Sequence, residues 1–316
     1  MILSVSRRTD IPNYYSDWFY NRIKEGFLYV RNPMNIHQIS RIDLSPQVVD
    51  CIVFWTKNPE PMMERLEELG EYDYYFQFTL TGYGRDIEPG IPRKRTEVIE
   101  TFQRLSEKTG KSRIIWRYDP ILFNDRYTEE YHIRAFEEIA GRLKNYTDKV
   151  VISFMDMYVN TQNNAGILKP QKLNQEQTLA FAQNIADAAR KNGMSVETCA
   201  EQIDLSRVGI RHGACIDKNL IEKILGCRLK IGKDKNQRGE CGCFESIDVG
   251  TYNTCRNGCK YCYADFDHKT AKENIRCYDP DSPLLCQTVG PGDQISHRKV
   301  RSLKDGQIHL FDSNFP

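Results

Sequence analysis

The sequence predicts an α/β protein organised as a parallel sheet or a (β/α) barrel, partial or full. Three observations carry this. Through the first two-thirds of the chain, short apolar runs alternate with stretches of helical periodicity, the order that builds parallel sheets. Most of those apolar runs end in a polar or charged residue, and in parallel barrels the C-terminal strand ends build the active site. The chain has 316 residues, 40% hydrophobic and 28% charged, enough for one large barrel or two ordinary domains.

Taken in order, Ile2-Leu3-Ser4-Val5 is a short strand, closed by the polar turn Ser6-Arg7-Arg8-Thr9-Asp10. An aromatic-rich helix runs from about Tyr14 to Lys24. Val49 to Trp55 is a buried strand that stops at Thr56-Lys57-Asn58-Pro59. A helix over Pro61 to Leu69 and a strand over Tyr74 to Leu80 follow. The helix Arg93 to Lys108 places Val98, Ile99, Phe102 and Leu105 on one face, and Gly110 caps its end. Strand Ser112 to Arg117 leads into Tyr118-Asp119-Pro120. A helix from Thr128 to Leu143, a strand from Lys149 to Phe154 and a polar loop come next. Asn174, with Gln177 three residues on, is a capped start for a helix reaching Lys191. Gly193 breaks it before the strand Ser195 to Cys199. These six strands end at Arg7, Lys57, Thr79, Arg117, Asp156 and Glu201.

Beyond Asp204 the chain is short-helical and then basic, with Arg228, Lys230, Lys233, Lys235 and Arg238 close together. Without interleaved aromatic residues this reads as a solvated loop rather than a phosphate-binding surface. Glu245 to Gly250 is one more strand, and a helix from about Ala264 to Asn274 is expected after it.

A net charge of +1 provides no overall field to draw in nucleic acid or an anionic membrane. No apolar run approaches the ~20 residues of a membrane span, and the N-terminus is too short in apolar residues for a secretory signal. These features predict a cytoplasmic protein. The 11 cysteines are the unusual feature. Cys51 stands alone and the rest lie between Cys199 and Cys286, a distribution that points to metal or catalysis rather than to a disulfide scaffold.

The stretch Cys255-Arg256-Asn257-Gly258-Cys259-Lys260-Tyr261-Cys262 has C-x3-C-x2-C spacing with a tyrosine before the third cysteine. Iron–sulfur clusters usually take four cysteines, so three thiolates leave one iron of a cubane open. Zinc is the rival: Cys259 and Cys262 could pair with Cys241 and Cys243 or with Cys255, and His268 is a further ligand type nearby. That alternative describes a non-catalytic, zinc-stabilised binding module.

The cysteine loop resembles the signature of the radical S-adenosylmethionine (SAM) superfamily, and Tyr263-Ala264 after it resembles spore photoproduct lyase-like proteins. Phe54-Trp55-Thr56-Lys57-Asn58-Pro59, Phe78-Thr79-Leu80 followed by Glu88-Pro89, and Asp119-Pro120-Ile121 to Asn124-Asp125 resemble segments that follow the cysteine loop in that group. Here they precede it, in the same mutual order. The resemblance therefore implies a TIM-like radical SAM barrel in circularly permuted order, with Glu245 to Gly250 as strand one and Ile2 to Val5 as strand two. Nearby termini make such a permutation tolerable. The chain also resembles a bacterial family, domain-of-unknown-function family 1848, in Ser-Arg-Arg-Thr-Asp-Ile-Pro, Trp-Thr-Lys-Asn-Pro, Trp-Arg-Tyr-Asp-Pro and Cys-Gly-Cys.

The superfamily resemblance implies a [4Fe-4S] cluster on Cys255, Cys259 and Cys262, with SAM on the fourth iron. It implies reductive cleavage of SAM to a 5′-deoxyadenosyl radical, and an external flavodoxin- or ferredoxin-like electron donor. The substrate is unassigned, and nucleic acid is not favoured. Tyr261 is expected to shield the cluster and help place the adenine, and Lys57 to meet the SAM carboxylate. Thr79, Glu88 and Arg117 are further candidates for SAM or substrate, Arg117 alternatively forming an ion pair. Cys259 is expected at the barrel mouth beside Lys57 and Thr79.

Cys199, Cys215, Cys241 and Cys243 are a second set. Four cysteines suffice for a second Fe–S cluster or a zinc site, and the alternative is small buried packing residues. Cys51 reads as core, and Cys227, Cys277 and Cys286 as incidental. The expected organisation is one structural domain: residues 1–200 as the main barrel, 201–244 as a Cys-containing, partly basic insertion, and 245–316 as strand one, cluster loop and tail.

Overall fold

A computed structural model of the chain describes residues 1–306. Its strands are, in chain order, β1 (Ile2–Val5), β2 (Phe27–Asn32), β3 (Asn35–Asp43), β4 (Cys51–Thr56), β5 (Tyr74–Thr79), β6 (Ile114–Ile121), β7 (Lys149–Phe154), β8 (Ser195–Thr198), β9 (Arg211–His212), β10 (Ile247–Asp248) and β11 (Gln294–His297). Eight of them form one sheet in the order β10-β1-β4-β5-β6-β7-β8-β9, and the other three a small sheet ordered β11-β3-β2. Every neighbouring pair in the large sheet is parallel. The strand feeding the cysteine loop lies beside the first strand, with Leu3 opposite Ile247 and Ser4 opposite Asp248.

The α/β class stands, but the barrel is corrected to an open sheet. Its edges, β9 and β10, are not paired with each other among the described residues. Each edge strand is two residues long, too short a ladder to hold a closed barrel together.

Side chains alternate across the strands as the pleat requires. Leu3, Ile52, Phe54, Phe76, Trp116 and Ile152 belong to the larger core, under the flanking helices. Ile2, Cys51, Val53, Tyr75, Ile115 and Val151 belong to a second core with Cys215, Ile216, Ile221, Leu229, Cys241 and Cys243. The insertion therefore packs back onto the sheet. Burial on both faces is why these strands read as near-continuous apolar runs.

The helices follow the expected pattern with local differences. The helix Gln175–Lys191 carries the full capping box between Asn174 and Gln177, a feature worth about 1 kcal/mol. The helix Glu129–Leu143 is capped by Thr128. The segment expected as a helix over 93–108 begins as a π turn, Lys94–Val98, before the α-helix Ile99–Thr109. Gly110 follows at φ +90°. The stretch 61–69 is split into a helical turn Glu60–Met63 and a 3₁₀ turn Leu66–Leu69. The β2–β3 hairpin was not anticipated. It is completed by distant chain: β11 pairs with β3, and Arg31 forms an ion pair with Asp293 at 2.7 Å.

Candidate functional site

The cysteine loop is fixed at both ends by glycines and buried hydrogen bonds. At its base, the Asp248 carboxylate accepts from Ser4 Oγ (3.0 Å), Ser6 Oγ (2.6 Å) and the Arg7 amide (2.9 Å). A Cβ on Gly250 would stand 2.0 Å from Ser6 Oγ, so glycine alone fits there. Further along, Tyr15 donates to the Thr254 carbonyl (2.6 Å) and Tyr14 to Asn257 Oδ1 (2.8 Å). Asn257 Nδ2 donates to Asp10, whose same oxygen takes the Lys57 amide. The Glu88-Pro89-Gly90 turn lies against the loop backbone, with Lys260 N donating to Ile87 O (2.9 Å) and Gly90 N to Asn257 O (3.0 Å).

Cys255, Cys259 and Cys262 are half-buried and free of disulfides. Cys255 and Cys262 line a chamber of about 440 Å³ at the C-terminal ends of the parallel strands. Cys259 packs against an apolar cluster that includes Tyr83, Ile87, Leu122 and Tyr261. Burial pushes all three thiols up to about 12. At Cys259 the nearby Lys57 opposes that rise and Glu88 reinforces it. A bound metal would reverse this by deprotonating the thiols. The donor set fits the cluster that the loop's spacing implies: three soft sulfurs on a pinned backbone, two of them facing an open chamber. Among the described residues no group of three or more His, Cys, Asp or Glu side chains is already arranged to hold a single metal ion. The side chain of His268 lies outside the described residues.

Behind the chamber wall is a buried charge cluster centred on Glu88. Lys57 Nζ lies 2.9 Å from Glu88 Oε1 and 2.9 Å from the Tyr261 hydroxyl. Tyr261 also donates to Glu88, and Lys94 pairs with the other carboxylate oxygen. Thr81 Oγ1 lies 2.9–3.0 Å from both oxygens. Burial alone would raise the Glu88 pKa, but Lys57 and Lys94 outweigh it and hold the carboxyl well below its usual range. Burial lowers the Lys94 pKa, only partly offset by Glu88, whereas at Lys57 Glu88 and Cys259 overcome burial and raise it. Glu88 does not line the chamber; Lys57, Thr79, Arg117 and Tyr261 do.

Of the six strand ends, Arg7, Lys57, Thr79, Arg117 and Asp156 line the chamber. Glu201 does not line it; its carboxylate accepts the Phe154 amide at 2.7 Å. Arg117 pairs with Asp119 and places Nη1 2.7 Å from Cys215 Sγ. The Trp55 ring is flanked by two guanidinium groups, Arg7 at 5.1 Å and Arg117 at 5.2 Å from its centre, an arrangement favourable to cations. Sequence reasoning missed Asp10, Trp55, Lys94 and Asn257 as site residues. Asp10 and Trp55 stand inside motifs that were quoted, but Lys94 had no local signal beyond starting a helix.

The second cysteine set converges on the same chamber, which Cys199, Cys215, Cys241 and Cys243 all line. Cys199 and Cys215 are 3.2 Å apart at sulfur, and the Ile216 amide donates to Cys243 Sγ at 3.5 Å. Cys51 is fully buried in the core, Cys286 is buried, Cys227 half-buried and Cys277 exposed. A larger cavity, about 690 Å³, lies on the far side of Glu88 and Lys94 and contains no cysteine. No helix among the described residues is long and apolar enough to cross a membrane.

No curated protein and no solved structure matches this chain. Residues 2–264, from the first strand to the end of the cysteine loop, match the model of a family described as a domain of unknown function, DUF1848. The chain therefore belongs to the DUF1848 family.

Proposed function

We propose that this protein is a radical SAM enzyme, with Cys255, Cys259 and Cys262 holding a [4Fe-4S] cluster and SAM bound in the adjoining chamber. The observation that carries the reading is the C-x3-C-x-Tyr-C loop following a parallel strand, with two of its thiols opening onto a chamber at the strand ends. When bound, the cluster would supply the electron that splits SAM into methionine and a 5′-deoxyadenosyl radical, which takes hydrogen from an as yet unnamed substrate.

The chain's own residues would prepare the chamber for such a ligand. Lys57 offers a buried ammonium at the chamber wall, suited to a carboxylate as a point charge. Glu88 and Tyr261 hold that ammonium in place through direct hydrogen bonds. Trp55, between Arg7 and Arg117, supplies an aromatic face in the same chamber. The flanking guanidinium groups favour anionic parts of a ligand. An external flavodoxin- or ferredoxin-like protein would deliver the electron.

The test is anaerobic reconstitution with iron and sulfide, followed by reduction with SAM. The expected result is a brown protein that produces 5′-deoxyadenosine, with Cys259→Ala making none. A colourless protein, or the same product yield from the variant, would overturn the reading.

A further inference from the structure

We propose that Cys199, Cys215, Cys241 and Cys243 form a second metal centre, a closed four-thiolate site for a single tetrahedral ion of the zinc class, in the chamber wall. The four residues come from three separate places: the end of β8, the loop after β9 and the turn before β10. They nevertheless meet. Cys199 and Cys215 are 3.2 Å apart at sulfur. Cys241 and Cys243 lie in one buried cluster with Cys215, and all four line the same chamber.

Two glycines make that meeting possible. A Cβ on Gly242 would stand 2.6 Å from the Gly213 carbonyl oxygen, and one on Gly213 would stand 2.6 Å from Glu197 Oε2 and 3.1 Å from the Thr198 carbonyl. Side chains at either position would force the three segments apart. The position of Cys215 is fixed from the sheet, where Tyr75 (2.5 Å) and Gln77 (2.9 Å) both donate to its carbonyl. Packing alone does not call for two residues on the sheet to anchor the backbone of a buried cysteine.

The surroundings are built for sulfur that carries negative charge. Arg117 Nη1 lies 2.7 Å from Cys215 Sγ, and the Ile216 amide points at Cys243 Sγ from 3.5 Å. Arg7, which lines the same chamber as Cys243 and Cys215, adds a second cation, and its Nη2 atom is buried without a hydrogen-bond partner. Four thiolates around a divalent ion carry two negative charges, and Arg7 and Arg117 are the cations beside them, Arg117 shared with Asp119. Donors to the ligating atoms of this kind are what orient metal sites.

Cys199 and Cys215 as they stand are closer at sulfur than a tetrahedral site places them. A zinc–sulfur bond of ~2.3 Å places tetrahedral sulfurs ~3.8 Å apart. Binding would therefore need the Cys199–Cys215 pair, now at 3.2 Å, to open by a little over half an ångström. It would release the four thiol protons to solvent. A cubane needs a wider interior, which is why thiols already in contact favour one ion. With four ligands the ion keeps no open position, so the site would fasten the 201–244 insertion onto the sheet.

The experiment uses the full chain purified without added metal, with zinc and iron counted by plasma mass spectrometry. The triple variant Cys255→Ala/Cys259→Ala/Cys262→Ala removes the first set and leaves this one intact. It is expected to retain about one zinc per chain; Cys241→Ala added to it is expected to lose that zinc. Because the added substitution could unfold the chain, thiol alkylation of the triple variant gives a second measurement. Cys199, Cys215, Cys241 and Cys243 should resist alkylation until a chelator is added, then react together. No zinc in the triple variant, with alkylation unchanged by chelator, overturns the centre. Iron and sulfide in place of zinc overturns the single-ion assignment. Failure of SAM cleavage in the wild type leaves this test unaffected.

Discussion

The Lys57 ammonium donates to the Tyr261 hydroxyl at 2.9 Å although the two residues stand 204 positions apart. This contact joins the end of β4 to the cysteine loop, and Glu88 closes the triangle by accepting from both. The loop is thereby attached to the sheet by charge as well as by backbone. It also means that Lys57 is already engaged before any ligand arrives, so a ligand carboxylate would share it with Glu88.

Glu88→Gln is expected to destabilise the fold by about 3–5 kcal/mol, because it leaves two buried ammonium groups without their carboxylate. Urea unfolding followed by circular dichroism measures this. Adding Lys94→Met to Glu88→Gln should recover part of the loss, since one uncompensated charge is then removed. Equal losses in the single and double variants would show that the ion pairs contribute little.

Gly90→Ala is expected to disturb the cysteine loop. A Cβ there would stand 2.8 Å from Asn257 Cα and 2.9 Å from the Arg256 carbonyl, both backbone atoms that cannot rotate away. A cost of about 1–3 kcal/mol is expected from such overpacking, together with lower iron retention after reconstitution. Gly141→Ala is the control, as nothing lies within 4 Å of its added Cβ. Iron retention at the control's level would show that the loop tolerates the shift.

His132 gives the fold a pH dependence of definite sign. It is fully buried, with Nε2 2.9 Å from the Leu122 carbonyl and Nδ1 2.8 Å from the Tyr118 hydroxyl. Nε2 must donate to the carbonyl, which leaves Nδ1 to accept from Tyr118. Burial lowers its pKa to about 4 from an ordinary 6.5. Between those values the unfolded chain binds a proton that the folded chain does not, so this contribution is intact above pH 6.5 and is lost as pH falls toward 4. The slope is at most ~1.4 kcal/mol per pH unit. His132→Gln should flatten the wild-type loss of stability between pH 7 and pH 5, read from urea midpoints. An identical slope in both proteins would assign the pH dependence to other groups.

The sequence by itself determined the succession of strands and helices and the spacing of the three thiols. Val-Asp-Cys-Ile-Val-Phe-Trp, the 99–105 helical face and the Asn174–Gln177 cap are local patterns, and each produces its element with little help from distant chain. Motif residues at strand ends were legible for the same reason: polarity marks where a buried strand emerges. Tertiary structure decided what no local pattern encodes. It set β10 beside β1 and left the sheet open at two short edges. It also chose the partners of buried charges. Lys94 reads as an ordinary helix-start lysine until the fold buries it against Glu88, because the strength of an ion pair depends on burial and distance that sequence spacing does not contain. The four thiols around Cys215 were individually visible, but only the close backbone approach at Gly213 and Gly242 brings them together.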